Sequence, residues 1–518
     1  MTIRFNSVVL LAILLLHGAA SQAQVREWEV GLTGGRQLIR AYGVDAGPQS
    51  ARTVVVLAGL RGNGSGSDDD DSEDSLASSE RARTILNQYG QLPAADRMVN
   101  LIVIPSANPE AEQLQFPPTG RAYAEQPVAH ALWRWLGVQA PDLIIADGPG
   151  SEEFEVAAEQ SPLAGIGTVP VLLPTNDPLS TALLNRFSEL ERSPARLEIQ
   201  RRLSRSPAQL ARQLASQYGH DFSTPAYVPG MGLIGRLRLG EVDDVQQLLA
   251  PYLAGLDIAI DSSSVLAGQL VFAEYAERTG NPEALELTVK AADLAFDEQG
   301  DLLDAMPFHY EMSDAVFMAP PLLTRAGKLT GNDTYFDMVA RHVRFMQRLL
   351  LRTDGLYRHS PLADVAWGRG NAFPVLGLAL VLSDFPQSHP AYPQLMNAYL
   401  AHLESLRAWQ RADGLWRQVI DVPGSFAELS ATAMLGIAIK RGLDRGWLAT
   451  DIYQPVLDKI WQAVQVRTGF DGVFIDVCTS TGKLDSLEAY LDRLAILDRD
   501  DRAGGMVMNL AVEMMAID

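Results

Sequence analysis

The chain has 518 residues, more than one hydrophobic core usually organises, so the sequence predicts two domains. Hydrophobic residues make up 47% and charged residues 20%, and the formal net charge is -21. Such a surface repels phosphate backbones, which argues against nucleic acid as a partner. To bind an anionic small substrate, the protein would need a local cluster of Arg or Lys whose positive charge outweighs the negative charge of the surface.

The first 23 residues are typical of an export signal. Arg4 precedes an apolar run over 8–16 that is too short to span a bilayer, and 21–23 (SQA) offers small residues for cleavage. We therefore expect a secreted or periplasmic protein with no membrane segment once the signal is removed. Cys478 is the only cysteine, so no intrachain disulfide can form, and we expect a buried, inert thiol there.

Residues 24–200 alternate strand-like and helix-like segments, which is typical of an α/β domain. Short, nearly continuous apolar runs suit strands buried on both faces, at 53–58, 101–104, 143–146 and 169–173. Pro170 confines the last run to an end or an edge of the sheet. Between the strands the pattern predicts helices, for example over 79–89 and 126–136.

From about residue 235 the pattern changes to successive helices broken by Gly, Pro, Asn and Asp. Apolar periodicity predicts helices over 241–254, 262–279, 282–296, 313–328, 332–353, 370–384, 391–408, 426–442, 450–467, 485–496 and 502–516. The turns 279–282 (TGNP) and 330–333 (TGND) are near-copies, and each joins two helices. This repetition predicts an all-α (α/α)6 toroid over 235–518, with bridging helices over 201–234 and the active site at one end.

The amino-terminal half resembles the zinc carboxypeptidases in three short motifs, 57–62 (LAGLRG), 105–109 (PSANP) and 141–147 (PDLIIAD). The metal ligands of that family are absent, because Arg61 and Gly64 replace the first His and Glu, and Gly148 and Pro149 stand where the last His is expected. A zinc site needs about three protein donors. The resemblance therefore implies a scaffold or binding domain without a metal. The acidic run 68–71 fits a solvated loop better than a calcium site.

Four segments of the helical half resemble glycoside hydrolase family 105, the unsaturated rhamnogalacturonyl hydrolases, and more distantly the unsaturated glucuronyl hydrolases. They are 311–318 (EMSDAVFM), 355–359 (GLYRH) with 367–373 (WGRGNAF), 413–419 (DGLWRQV) with 425–434 (SFAELSATAM), and 476–482 (DVCTSTG) with 489–490 (AY). The resemblance implies a six-hairpin enzyme that hydrates the C4=C5 enol ether of a terminal unsaturated uronic acid. Its substrates would be lyase-generated oligosaccharides of rhamnogalacturonan or glucuronan type, and it would need no cofactor.

Asp314 occupies the catalytic aspartate position of that family. The reaction needs one group to protonate C4 and to deprotonate the water that attacks C5, and a single buried carboxyl group can do both. Asp314 should lie in the first turn of a helix, with Met318 one turn along on the same face, where it would contact the substrate. The residues alone also fit an aspartate that caps this helix.

Arg369 is expected to bind the substrate carboxylate through its guanidinium fork, with a structural salt bridge as the alternative. His359 resembles the family's substrate-contacting histidine, although an isolated exposed histidine fits as well. His309 is expected to line the pocket. Aromatic rings stack on sugar rings, and core packing is the competing role for the candidates Trp367, Phe373 and Trp416.

Some positions depart from the family pattern. Met312 stands where a Trp is usual, Ala372 begins a replaced Gly-Trp pair, and Leu303 and Asp304 occupy the place of a His-Lys pair. These changes imply an altered pocket. Two other functions stay open: a six-hairpin glycosidase that pairs Asp314 with a second carboxylate about 5–9 Å away, and a non-catalytic saccharide-binding or assembly protein.

Overall fold

The computed structural model of the protein describes residues 24–47, 51–61, 69–174 and 179–515, without the side chains of 69–72. The predicted signal over 1–23, Gly64 and the side chains of the acidic run 68–71 lie outside the described residues. In the described ranges, no helix is both long and apolar enough to cross a membrane.

The amino-terminal half contains a six-stranded sheet with the strand order β1-β2-β4-β3-β5-β6. Its strands are β1 (Arg26–Leu32), β2 (Leu38–Val44), β3 (Arg52–Ala58), β4 (Val99–Ile104), β5 (Leu143–Asp147) and β6 (Val171–Leu172). Strands β3 to β6 run parallel and coincide with the four predicted apolar runs. The antiparallel hairpin β1–β2 was not predicted, because its strands carry charged, partly exposed side chains among the apolar ones.

Helices cover both faces of this sheet and confirm the α/β architecture. They are α1 (Asp69–Gln91), α2 (Pro127–Gln139), α3 (Ser151–Gln160), α4 (Thr181–Arg186) and α5 (Pro194–Leu203). Side chains of α1 and α4 pack on one face, and those of α2, α3 and α5 pack on the other. We call residues 24–203 the α/β domain.

The rest of the chain forms a ring of paired helices. The inner helices are α7 (Tyr227–Arg238), α10 (Leu270–Thr279), α13 (Pro320–Thr330), α15 (Gly368–Asp384), α17 (Leu429–Asp444) and α20 (Asp501–Glu513). The outer helices are α6 (Pro207–Ala215), α8 (Val242–Leu253), α11 (Pro282–Ala292), α14 (Thr334–Leu350), α16 (Tyr392–Arg407) and α18 (Thr450–Arg467). Each inner helix packs against the next, and α20 packs against α7, so the ring closes.

The predicted boundary at residue 235 is wrong, because it falls inside α7. Helix α20 is the last helix in the described part of the chain, and its outer partner is α6, which precedes α7 in the sequence. Side chains of α6 and α7 therefore belong to the same hydrophobic core as those of α20. We call residues 207–515 the helical domain.

The two similar turns form as predicted. Gly280 and Gly331 end α10 and α13 with left-handed backbone angles φ of 71° and 74°. The Asn281 side chain then caps α11 by accepting a hydrogen bond from Ala284 N, and Pro282 takes the first helical position. The matching sequences thus mark matching hairpin connections.

Short elements lie between the paired helices. They are α9 (Ser263–Gly268), α12 (Ala315–Met318), α19 (Leu487–Leu491), β7 (Trp416–Arg417), β8 (Ala427–Glu428), β9 (Phe474–Cys478) and β10 (Ala495–Asp498). The prediction of one helix over 485–496 is thus largely wrong, because the helix stops at Leu491 and β10 then pairs antiparallel with β9. The pairs β7–β8 and β9–β10 were also missed, since such short strands leave little periodicity.

The α/β domain packs directly against the helical domain beside these short strands. Glu29 on β1 accepts hydrogen bonds from Arg411 and Arg417, and Arg134 on α2 pairs with Asp476 on β9. Apolar side chains from both domains also share one buried cluster. The α/β domain therefore lies against the strands that support the site.

Candidate active site

Four functional side chains come from one end of the inner ring. Tyr227 begins α7, Arg369 is the second residue of α15, Asp314 precedes α12, and Asp500 caps α20. The Tyr227 hydroxyl lies within electrostatic range of the other three, and burial raises the pKa of this phenol. The candidate site is therefore built from the amino-terminal ends of the inner helices.

Asp314 is almost buried, with 8% of its surface exposed. Its backbone carbonyl accepts hydrogen bonds from Phe317 N and Met318 N, but its side chain makes no capping hydrogen bond. One carboxylate oxygen, Oδ1, has no hydrogen-bond partner among the described residues. The capping role is thus excluded for this side chain, which leaves the carboxyl group available for chemistry.

His359 lies behind this carboxyl group and is fully buried. Its Nε2 is 3.5 Å from Asp314 Oδ1, and its Nδ1 is 2.7 Å from the Tyr490 hydroxyl. Burial raises the pKa of Tyr490 to about 12, so this hydroxyl keeps its proton and can donate it to Nδ1. With Nδ1 as the acceptor, the ring proton is carried by Nε2, which faces Asp314. The alternative of an exposed histidine is therefore wrong, and the substrate-contacting role of His359 stays a prediction.

Several buried polar atoms converge beside Gly370. A side chain at this glycine would meet Ser313 Oγ at 2.9 Å and the His359 ring at 3.3 Å. Ser313 Oγ, Asp314 Oδ1 and His359 Nε2 are all buried without a hydrogen-bond partner among the described residues. Folded proteins satisfy nearly all buried polar groups, so such a cluster indicates where a polar ligand is bound.

Arg369 does not present the open fork that was predicted, since only 1% of its surface is exposed. Its Nη1 donates to Ser430 Oγ at 3.1 Å and to Cys478 O at 2.8 Å, and its Nη2 donates to Thr479 O at 2.8 Å. Glu428 lies 3.9 Å from Nη1. The guanidinium group therefore fixes the loop that follows β9, and Nε is the atom left without a partner.

The predicted sugar platforms are also corrected, because each of the three rings is only 1% exposed. Trp416 donates from Nε1 to Leu406 O at 2.7 Å, and Phe373 packs against Phe317. Trp367 lies between the His359 ring and the Arg369 guanidinium group. Met318 is buried as well, at 5% exposed. All four side chains face the packed interior, which sequence spacing alone does not reveal.

His309 lies in a strained loop that precedes Asp314 in the chain. Its neighbours Phe308, Tyr310 and Glu311 have φ values of 62°, 47° and 54°, a left-handed region that residues other than glycine rarely adopt. His309 Nδ1 accepts a hydrogen bond from Glu311 N, and the Glu311 carboxylate pairs with Lys483 at 3.2 Å. Strain of this kind is concentrated at functional sites. The pocket-lining role of His309 stays a prediction.

Four residues around the site, Tyr227, Asp500, Arg493 and Arg502, were not predicted from the sequence. Tyr227 lies in the segment 201–234, for which the sequence predicts bridging helices, and it belongs to none of the motifs. Arg493 donates to Thr481 Oγ1, and Arg502 donates to the Ser480 hydroxyl. Together with Arg369, these two arginines place three positive charges around the loop 478–481. Asp500 pairs with Arg502, and Glu428 lies 3.9 Å from Arg369, so carboxylates balance two of these charges.

The motifs of the α/β domain lie at the carboxyl ends of β3, β4 and β5. Arg61 forms an exposed ion pair with Glu153 at 3.3 Å. Asp147 accepts two hydrogen bonds from Arg81. Across the described ranges, no group of three or more His, Cys, Asp or Glu side chains is placed to hold a metal ion.

Solved structures similar to this chain share the fold of the helical domain. A possible member of the GH105 family from Salmonella enterica serovar Paratyphi A has a TM-score of 0.52 at 19% identity, covering 60% of this chain and 94% of that one. A glycosyl hydrolase family 88 protein from Bacteroides vulgatus has a TM-score of 0.51 at 14% identity, with coverages of 60% and 99%. The six-hairpin fold of this domain is thereby confirmed.

Proteins similar to this chain in sequence are also named as hydrolases. An unsaturated rhamnogalacturonyl hydrolase, YesR, from Bacillus subtilis is 26% identical over 244 residues, which cover 46% of this chain and 65% of that protein. An unsaturated 3S-rhamnoglycuronyl hydrolase from Alteromonas sp. is 27% identical over 172 residues, which cover 31% and 42%. The match thus spans less than two thirds of either relative. The family model for Glycosyl Hydrolase Family 88 matches residues 257–517, half of the chain, so the protein belongs to that family.

Proposed function

We propose that this protein is a glycoside hydrolase that hydrates the C4=C5 enol ether of terminal unsaturated uronic acids in lyase-generated oligosaccharides. The proposal rests on the closeness of Asp314 Oδ1 to His359 Nε2, 3.5 Å apart, because both atoms are buried and neither has a hydrogen-bond partner among the described residues. Relatives named for rhamnogalacturonyl and 3S-rhamnoglycuronyl substrates support this chemical class. The proposed oligosaccharides are of rhamnogalacturonan or glucuronan type.

In this proposal Asp314 serves as both acid and base. The protonated carboxyl group donates its proton to C4 of the enol ether, and positive charge develops at C5. The carboxylate then accepts a proton from the water that attacks C5, so Asp314 returns to its starting state. The product is a hemiketal whose ring opens and releases the rest of the oligosaccharide. The Nε2 proton of His359 holds the carboxyl group in position.

Glu428 does not suit a glycosidase mechanism with two carboxylates. Glu428 is the acid closest to Arg369, but it is fully buried and already accepts hydrogen bonds. Its donors are Ser430 N, Ser430 Oγ, Ala431 N and Cys478 N. Such a carboxylate caps α17 and is not free to attack an anomeric carbon or activate water.

The proposal is tested with rhamnogalacturonan and glucuronan fragments produced by lyases. The enol ether absorbs ultraviolet light, and we expect the protein to remove this absorbance. Asp314→Asn should abolish the loss, whereas the matched change Asp301→Asn in an exposed loop should leave it intact. Full activity in Asp314→Asn would refute the assigned role. Binding of the fragments without turnover by the wild type would instead favour a saccharide-binding protein.

We further propose that the α/β domain is a carboxypeptidase-like scaffold without peptidase activity, and that residues 1–23 direct export. Loss of the metal ligands at Arg61 and Gly64 supports the first statement. Amino-terminal sequencing of the protein from a periplasmic fraction would test the second. A mature chain that starts near residue 24 is the expected result.

A further inference from the structure

We propose that Arg134 of the α/β domain is a positioning residue for the reaction of the helical domain. This inference rests on the proposed function and extends it to a part of the chain outside the family match at 257–517. Arg134 lies on α2 and is almost buried, as is its partner Asp476 on β9, with side chains 7% and 6% exposed. The ion pair crosses the domain interface and joins Nη1 to Oδ1 at 2.5 Å.

Asp476 has a backbone conformation that needs such support. Its φ of 65° is left-handed, and it lies beside an irregularity in the pairing of β9 with β10, between Ile496 and Leu497. A residue other than glycine keeps this conformation only where its surroundings hold it. Arg134 and the Tyr123 hydroxyl, both from the α/β domain, hydrogen bond to the Asp476 carboxylate. Arg134 also donates to Ala495 O on β10, so it holds both strands.

The held strands lead directly to the site. Two residues after Asp476, Cys478 N donates to Glu428, and Cys478 O accepts from Arg369. The next carbonyl, that of Thr479, accepts from the same guanidinium group. A shift of β9 would therefore displace Arg369, whose guanidinium group lies over the Trp367 ring beside His359.

Apolar packing supplies a second connection. One buried cluster combines Leu32 and Ala122 of the α/β domain with Trp367 and Tyr490 of the helical domain. Tyr123 extends this contact by stacking on Phe426, with ring centroids 5.1 Å apart. The two rings that contact His359 are therefore backed by side chains from outside the ring of helices. Arg134 acts through this support and does not touch the proposed substrate.

The kinetic test compares Arg134→Gln with Arg202→Gln in the full chain. Arg202 is an equally buried arginine at the domain interface, but its side chain donates to Glu198 within α5 and to Val466 O at the end of α18, and not to Asp476. We expect Arg134→Gln to lower kcat on the order of 10- to 100-fold, as a small misplacement of catalytic groups does, and to shift its pH profile. Arg134→Lys should recover part of this loss. Arg202→Gln should keep the wild-type kcat and pH profile.

A second readout does not depend on the reaction. Cys478, the only cysteine, is fully buried two residues after Asp476, so its labelling rate by a thiol reagent reports the opening of β9. We expect native Arg134→Gln to label about tenfold faster than wild type or more, and faster than Arg202→Gln of similar Tm. If Arg134→Gln does not fold, Tyr123→Phe removes a weaker contact to the same carboxylate.

The outcomes separate the two proposals. Wild-type protein that leaves the enol ether intact would overturn the proposed function, and the labelling rates alone would then decide whether Arg134 fixes β9. An active wild type together with wild-type kcat and labelling in Arg134→Gln would overturn only the role of Arg134. Faster labelling without a change in kcat or pH profile would also overturn it, because β9 would then move without affecting the reaction.

Discussion

Glu274 lies at the opposite end of the toroid from the site, and its charge should be a large contributor to stability. It is 6% exposed and pairs with Arg238, Arg278 and Arg325 at 3.3, 2.9 and 3.5 Å. Burial alone would raise its pKa, but the neighbouring arginines outweigh this effect and lower the pKa from 4.5 to about 2. Since one pKa unit corresponds to about 1.4 kcal/mol, the charged form contributes about 3 kcal/mol to folding at neutral pH.

Because folding lowers the pKa of Glu274, the stabilisation by its charge depends on pH in a definite direction. A carboxyl group whose pKa is lowered by folding stabilises the protein fully above its unfolded pKa of 4.5. The contribution is then lost as the pH falls towards 2. Glu274→Gln should therefore lower the free energy of unfolding by about 3 kcal/mol at pH 7, and by less than half of that at pH 3.

Urea unfolding followed by tryptophan fluorescence at both pH values measures the difference. Glu286→Gln is the matched control, because Glu286 is exposed on α11, and surface changes of this kind stay within about 0.5 kcal/mol. A Glu274→Gln protein as stable as the wild type at pH 7 would refute the reasoning. A deficit that is the same size at pH 3 would refute the electrostatic origin.

Three other substitutions test the site and its support. Tyr490→Phe should lower kcat about tenfold and cost about 1–3 kcal/mol of stability, because it removes the hydroxyl that fixes His359 and leaves the buried Nδ1 without this partner; unaltered kinetics would exclude this role of the hydroxyl. Trp416→Ala should lower the free energy of unfolding in urea by about 3–5 kcal/mol, because the ring is buried in the core. A loss of substrate affinity without a loss of stability would instead support the predicted role of Trp416 as a sugar platform. Gly377→Ala should cost about 1–3 kcal/mol and reduce activity, because the added carbon would lie 2.4 Å from Val316 O beside Asp314; wild-type stability and activity would contradict this packing.

The sequence predicted the fold well in those segments whose structure is determined by residues close together in the chain. The four parallel strands are apolar runs, and the hairpin turns at Gly280 and Gly331 carry their own capping residues. The start of the helical domain was not predictable in this way. It depends on α6 packing against α20, two segments at opposite ends of the domain, and no local pattern encodes that contact.

The site was predictable in position but not in orientation. The structure brings the predicted residues Asp314 and His359 together, and Tyr490, which had no predicted role, contacts His359. The roles of the surrounding side chains were wrong because they depend on partners distant in sequence, such as Cys478 and Thr479 for Arg369. Tyr227 was missed for the same reason, since only ring closure brings the start of α7 beside α15 and α20.

The inner helices all run in the same direction, so their dipoles affect the electrostatic potential at both ends of the toroid. Their carboxyl-terminal ends surround a cavity of about 670 Å³ lined by arginines that include Arg238, Arg325 and Arg441, as expected where helix dipoles are negative. Their amino-terminal ends meet at the site, where the dipoles are positive and Arg369 and Arg502 add full charges. A carboxylate-bearing sugar at the site would meet the positive ends of these dipoles and the Arg369 guanidinium group, whereas Asp500 pairs with Arg502 and offsets its charge. The direction of the inner helices thus connects the fold to the proposed choice of an anionic substrate.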